Sequence, residues 1–328
     1  AALAAFCESG ERDLREFFDL GRNRYLIANV HDPNLPPPDA GCFKGSDQVV
    51  TVGAGQESVS FSVASFYAAA KDQLRANAVV APYEAVNATY TRKFMERALA
   101  RTETCAKIGL EWAVAGQTLL WPVVGSTPEL CERSLGKLIA NVSADLVNSG
   151  SIGVCFPNLT ACSREDRLKI VSNCLAKLEE AFPDAPTIQS TAFMGSCDPF
   201  EVLEVLALGV DTVETSLPYV MTRQSLALAV SREDQAGPET SAVNLRDSAF
   251  ARDQGPLVNG CKCWACANHT RGYVHHLLNC SEMLAEMLLF HHNAHQMLSL
   301  TARLRELPSQ DAQNRFIGEL RAATVPPQ

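Results

Sequence analysis

Along most of the chain, short apolar runs rich in β-branched residues alternate with amphipathic stretches. The runs are NAVVAPY (77–83), TLLWPVV (118–124), SIGVCF (151–156), TIQSTAF (187–193) and VDTVETS (210–216). Helical spacing fills about 90–108, 127–148, 163–181 and 198–208 between them. Successive strand starts lie about 20 to 40 residues apart, the rhythm of βα units laid on a parallel sheet. At least five such units leave two architectures, a (β/α)8 barrel and a doubly wound sheet. No Gly-x-Gly-x-x-Gly opens any of the helices, so the dinucleotide-binding sheet has no positive mark. The pattern predicts an α/β chain built on a (β/α)8 TIM-like barrel.

The alternation stops after the fifth run. Residues 231–259, SREDQAGPETSAVNLRDSAFARDQGPLVN, are polar and broken by Gly and Pro, which predicts an irregular connection. From Arg271 the stretch RGYVHHLLNCSEMLAEMLLFHHNAHQMLSLTARLREL reads as one long helix that Pro308 terminates. The expected domains are therefore a barrel over 1–258 and a metal-binding helical subdomain over 259–328. The first 60 residues carry no clear period, and the chain opens without Met, so a trimmed start is expected there.

A chain of 328 residues can bury a large core and still carry an appendage. Its formal net charge of -9 argues against bulk electrostatic wrapping of nucleic acid, which needs clustered Lys and Arg. If RNA is involved, another chain is expected to supply much of the positive surface. The charge is uneven: residues 261–328 hold 6 Lys and Arg against 5 Asp and Glu, so the first 260 hold 22 against 32. No apolar run reaches the roughly 18 residues of a membrane helix, and the opening AALAAFCESGERDL lacks a basic, apolar signal pattern. The 12 cysteines and the sequons at Asn87, Asn141, Asn158, Asn268 and Asn279 raise a secreted, disulfide-bonded alternative. Most of those cysteines sit in apolar periodic segments, where a reduced thiol acts as a small hydrophobe, so a reducing compartment is expected.

One cluster changes the picture. Cys261, Cys263 and Cys266 form C-x-C-x2-C, and three thiolates with one imidazole make the closed tetrahedral set that a structural Zn2+ prefers. Six of the seven histidines lie between 269 and 295, so His292 has His291 and His295 as competitors for the fourth place. Four protein ligands would leave no open position for chemistry at the metal.

The run NLRDSAFARDQGPLVNGCKCWACANHTRGYVHHLLNCSEMLAEMLLFHHN resembles the zinc-binding end of the queuine tRNA-ribosyltransferase (tRNA-guanine transglycosylase) family. The residues that carry the likeness are Cys261, Cys263, Cys266, Arg271-Gly272-Tyr273, His275-His276-Leu277 and His292-Asn293. Upstream, FMGSCDPFEVLEVLALGVDTVETSLPY (193–219) is similar to the family's Met-Gly-x-Gly-x-Pro helix and the strand after it. The likeness is close over about 185–306 and keeps register over about 60–184.

The resemblance implies a TIM-like barrel, one structural Zn2+ on Cys261, Cys263, Cys266 and His292, and a two-barrel assembly that acts on the wobble base of a tRNA. It also implies a nucleophilic carboxylate on a strand end, displacing guanine through a covalent ribosyl-enzyme. Glu214 stands at that position, one methylene longer than the family's Asp. Tyr83, followed by Glu84, stands where the family reads the base edge, and Val124 stands where a Gln precedes Gly125. The chain has no Gly-Gly dipeptide, near IGVCFPN or elsewhere. These departures lead to the expectation of a non-catalytic accessory subunit, paired as a heterodimer with a catalytic queuine tRNA-ribosyltransferase subunit and contacting tRNA through that complex. An active transglycosylase using Glu214 is the alternative. Tyr273, Leu277, Leu284 and Leu288 with nearby methionines are expected on the helix face turned to that partner. The expected place is the cytoplasm, with the mitochondrial outer surface or the nucleus as alternatives.

Overall fold

The computed structural model describes residues 25–30, 43, 48–52, 59–86, 89–113, 117–157, 159–185, 188–229 and 242–324. In chain order the first elements are β1 (Ile27–Ala28), β2 (Val49–Val52), β3 (Val59–Ser62), α1 (Val63–Asp72), β4 (Ala78–Val80) and α2 (Arg92–Leu110). Then come β5 (Thr118–Pro122), α3 (Pro128–Asn141), α4 (Ala144–Asn148), β6 (Ile152–Phe156), α5 (Arg164–Ala181) and β7 (Gln189–Gly195). The remainder is α6 (Pro199–Ala207), β8 (Thr212–Thr215), α7 (Leu217–Arg223), β9 (Leu226–Leu228), β10 (Ala242–Asn244), α8 (Trp264–Asn268), α9 (Arg271–Asn279), α10 (Met283–Glu306) and α11 (Gln310–Thr324). All five strands read from the apolar runs and all four helical stretches between them are present. The stretch 127–148 is divided into α3 and α4 at Val142 and Ser143.

Two compact units make up the chain, one of Ala1–Met194 with Gly209–Glu214, the other of Gly195–Leu208 with Thr215–Gln328. The first carries a curled, parallel six-stranded half-barrel in the order β1-β4-β5-β6-β7-β8, as expected of a TIM-like α/β fold. Register is tight, with Val79 opposite Leu119 and Leu119 opposite Ile152. Parallel strands covered by helices are buried on both faces, which is why the sequence shows continuous apolar runs rather than alternation. One buried cluster joins Ala78, Val80, Leu120, Val124, Cys155 and Phe193 with Tyr83 and Leu99. A Leu or Val removed from water in this way contributes about 1.5–3 kcal/mol. The helices start where the sequence provides caps: Thr91, Thr127 and Ser163 each accept from the backbone N–H three residues on. Ahead of β4, strands β2 and β3 form an antiparallel ladder, Val49 opposite Ser62, in the region that showed no period.

In the second unit α10 packs against α6, α7, α8, α9 and β9, while α11 packs on α6. Two sequence expectations need correction here. Within the stretch read as irregular, residues 242–244 are a strand, β10, antiparallel to β9; residues 231–241 lie outside the described ones. The single long helix is two, because Ser281 takes a left-handed φ of 56° and the Glu282 N–H turns back to the Leu277 carbonyl. After Pro308 the chain re-enters a helix, with Ser309 Oγ accepting from Ala312 N–H at 3.3 Å. Arg321 ties that helix to Glu204 at 3.0 Å and covers the Phe200 ring at 5.3 Å.

Candidate functional site

Local chain geometry builds the cysteine loop. Gly260 turns it with φ 73°, a conformation that glycine adopts without a Cβ clash. Cys263 then caps α8, its Sγ accepting from Cys266 N–H at 3.3 Å, while Cys263 N–H reaches Cys261 Sγ at 3.5 Å. Backbone N–H groups thus already face two of the sulfurs, as a thiolate requires. The loop is anchored from α9: Arg271 bonds Leu257 O at 3.0 Å and Asp253 at 2.9 Å, and its ring neighbour is Phe250 at 5.5 Å. Gly272 follows because a Cβ there would meet the Asp253 carbonyl at 2.9 Å. Hydrogen bonds from the Gly255 N–H and from Arg271 hold the Asp253 carboxyl below its ordinary value.

The fourth partner comes from α10. His292 is fully buried, and its Nδ1 lies 3.6, 3.5 and 3.4 Å from the sulfurs of Cys261, Cys263 and Cys266. His291 is exposed and His295 half-buried; neither joins the group. All four ligand atoms lie within 4.8 Å of one another. Bonds of about 2.3 Å to sulfur and 2.0–2.1 Å to nitrogen, spread tetrahedrally, would separate N from S by about 3.5 Å. The residues fit a metal ion at their centre. The other ring nitrogen, Nε2, donates to Leu228 O at 3.0 Å, which fixes the tautomer and leaves Nδ1 facing the sulfurs. Hydrogen bonds from the Cys263 and Cys266 thiols pull Cys261 far below the ordinary thiol range, and Cys266, which donates, is pushed up. Burial would keep His292 neutral, but the Cys261 and Cys263 sulfurs outweigh it and raise the imidazole to about 9. A cation would replace these shared protons.

Asn293 was legible only as part of a motif, and its role comes from the fold. Its amide lies along β9 as a further strand would: Leu228 N–H donates to Oδ1 at 2.7 Å, and Nδ2 donates to Leu226 O at 2.9 Å and to Thr222 Oγ1 at 3.2 Å. The sequence signal is a polar residue on the helical stripe of Leu289, Met297 and Leu300, all buried. Adjacent residues of α10 therefore serve the metal site and the β9–α7 segment together.

The profile described as queuine tRNA-ribosyltransferase matches residues 45–324. The chain belongs to the queuine tRNA-ribosyltransferase family. It is 31% identical over 295 residues to the Anopheles gambiae protein named queuine tRNA-ribosyltransferase accessory subunit 2, covering 86% of this chain and 66% of that one. It is 28% identical over 326 residues to the human protein of the same name, covering 87% of this chain and 75% of that one. The chain thus spans about two thirds to three quarters of the length of these curated relatives.

The positions that the family resemblance assigns to base reading and to attack lie in the first unit. Tyr83 and Val124, 2% and 0% exposed, pack with Cys155 and Phe193 in the apolar cluster at the strand ends. The Val124 N–H is already engaged by Ser134 Oγ at 3.0 Å. Glu84 is buried against Arg101 Nη1 at 2.7 Å, so its charge is tied to α2. After β6, Arg167 is buried with Nε on Leu159 O at 3.0 Å, pinning the segment where the family has a Gly-Gly loop. Glu214 is half-buried on β8. In the second unit Arg223, at the end of α7, is exposed and paired with Glu286 at 2.6 Å.

Proposed function

We propose that this chain is the non-catalytic accessory subunit of a heterodimeric queuine tRNA-ribosyltransferase, supporting tRNA binding while its partner exchanges the wobble guanine for queuine. The observation that carries this reading is the apolar filling at the strand ends. Recognising a guanine requires donors and acceptors turned to the base, and leaving such sites unmatched is costly. Here Tyr83, Val124, Cys155 and Phe193 pack on one another instead, and the one backbone donor at 124 is taken by Ser134. Glu214 then has no bound base to expel. The metal is zinc, held structurally: three thiolates and an imidazole suit it, and four protein ligands close the coordination sphere. The second unit exposes Trp264, Tyr273, Met283, Met287, Phe290 and Leu298, a set of large apolar side chains suited to a partner surface. Leu277 and Leu288, grouped with them from sequence, are buried in the unit's own core. The thiols of Cys105, Cys131, Cys155 and Cys174, buried in apolar surroundings, support a reducing compartment such as the cytoplasm.

The test is exchange of labelled guanine into tRNA by this chain alone and with a catalytic transglycosylase subunit. The expected result is no turnover alone and stimulated turnover with the partner. Turnover by the chain alone that Glu214→Gln abolishes would replace this reading with an active transglycosylase.

A further inference from the structure

The outer faces of α2 and α3 enclose a cleft of about 390 Å³, lined by Glu96, Leu99, Ala100, Arg133, Gly136 and Lys137. That is within the range of small-ligand sites. Its lining is apolar at Leu99 and Ala100 and bare at Gly136. A Cβ at Gly136 would meet nothing within 4 Å, so packing does not call for a glycine there, although glycine weakens a helix interior. The missing side chain keeps the cleft open.

Cations gather around it. Arg133 on α3 bonds both oxygens of Glu96 on α2 at 2.8 and 2.7 Å, and Lys137 reaches Glu103 at 3.1 Å, beside Lys107 at 2.7 Å. Hydrogen bonding from Arg133, with the charges of Arg92 and Lys137 nearby, holds the Glu96 carboxyl below its ordinary value. Arg92, Lys93 and Arg97 are exposed along the same helix, whose only acids are Glu96 and Glu103. On α3, Glu129 lies in the first turn and Glu132 is engaged by Asn173 and Lys177 of α5. A chain of net charge -9 thus carries a locally basic strip. Just ahead of it Tyr90 and Phe94, both half-buried, stand with rings 4.5 Å apart.

We propose that this cleft takes one nucleotide of an RNA chain, with the base over Leu99, Ala100 and Gly136 and the adjoining phosphates on Arg133, Lys137 and Arg92. The proposal rests on the tRNA-binding reading above and gives that reading a surface. Basic side chains interleaved with aromatic ones are the pattern for unpaired RNA. Arg92 lies one turn before Glu96 on the same face of α2, its charge felt at that carboxyl, so the cations continue past the cleft as a chain ligand needs and a free nucleotide does not.

The experiment measures tRNA binding by the complex of this chain with a catalytic subunit over a range of salt. Two variants are compared: Gly136→Leu, which fills the cleft and leaves every charge, and the double variant Arg133→Ala with Lys137→Ala. Both are expected to weaken binding at least about fivefold. The double variant should also flatten the slope of log K against log salt by about 1.4, since each of its two lost phosphate contacts removes about 0.7 for single strands. Equal melting temperatures and metal contents show that the variants fold. Unchanged affinity and slope in both variants overturn the proposal. So does GMP binding that Gly136→Leu abolishes while tRNA binding is untouched, because the site then serves a free nucleotide. If the variants lose RNA while the wild-type chain fails to stimulate guanine exchange, the cleft stands and the accessory-subunit reading falls.

Discussion

At Asn293 a single side chain does what a length of β-strand does elsewhere. It is completely buried, and it both accepts from Leu228 N–H and donates to Leu226 O and Thr222 Oγ1. Replacing it by Ala leaves the buried Leu228 N–H and the half-buried Leu226 C=O without this partner. The expected destabilisation is about 2–3 kcal/mol, from the desolvation of groups left unsatisfied. Chemical denaturation of Asn293→Ala against wild type measures it. Metal content should be unchanged from wild type, because His292 is held from Leu228 O by its own Nε2. A variant of unchanged stability would mean that water replaces the amide without loss. The neighbouring His292 shows what a sequence can and cannot give at this scale. Composition left His291, His292 and His295 equivalent, and the motif favoured His292. Only the fold shows why the other two do not compete: α10 turns position 292 inward and leaves 291 in solvent.

At the scale of elements, the parts most legible in sequence were those stabilised most locally. Strands β4 to β6 are nearly continuous apolar runs, β7 and β8 mix Gln, Ser, Thr and Glu into theirs, and the helices between them begin at Thr91, Thr127 and Ser163 caps that the sequence displays. Strands β9 and β10 are three residues each, too short for a period, and exist because they pair with each other. The hairpin of β2 and β3 is short, and β3 is largely exposed, so it lacks an apolar signature. The break between α9 and α10 was carried by Asn279 and Ser281, but the apolar stripe across it hid the stop. The cysteine loop belongs to the same class of non-local structure, since Ala265, Cys266, Val274, Leu277, Leu288 and Leu289 share one small core. Metal is therefore expected to hold α8 to α10. Chelation should raise amide exchange over 258–268 and the His292 turn well before it affects β5 and β6. Acid should act in the same direction: protons compete for the thiolates, so metal affinity falls as pH falls and recovers as it rises. Hydrogen exchange with and without chelator, at two pH values, tests both. Equal protection of 258–268 in the two states would show that the loop folds without its metal.

Across the whole chain, recognition and chemistry are expected to divide between two proteins. The first unit has the family's barrel wall with apolar side chains at the positions where the resemblance calls for base recognition. The second has large apolar side chains left in solvent, with Met283 75%, Met287 59% and Leu298 70% exposed. These three lie four to fifteen residues apart along one helix, with Phe290 between them, so they fall near one face of α10. Exposed apolar area of this kind on an otherwise charged chain marks an association surface. Under the accessory-subunit reading its occupant is the catalytic subunit. Co-expression is then expected to give a 1:1 complex. Met287→Glu with Phe290→Glu should raise its dissociation constant at least about tenfold, the order expected when two central apolar contacts are lost. Both side chains point to solvent, so the isolated variant should keep its melting temperature and its metal. Analytical ultracentrifugation at micromolar concentration reads the assembly, and exchange of guanine into tRNA reads the consequence: stimulation should fall in step with complex formation. A variant that assembles and stimulates as wild type does would move the partner surface elsewhere on the chain.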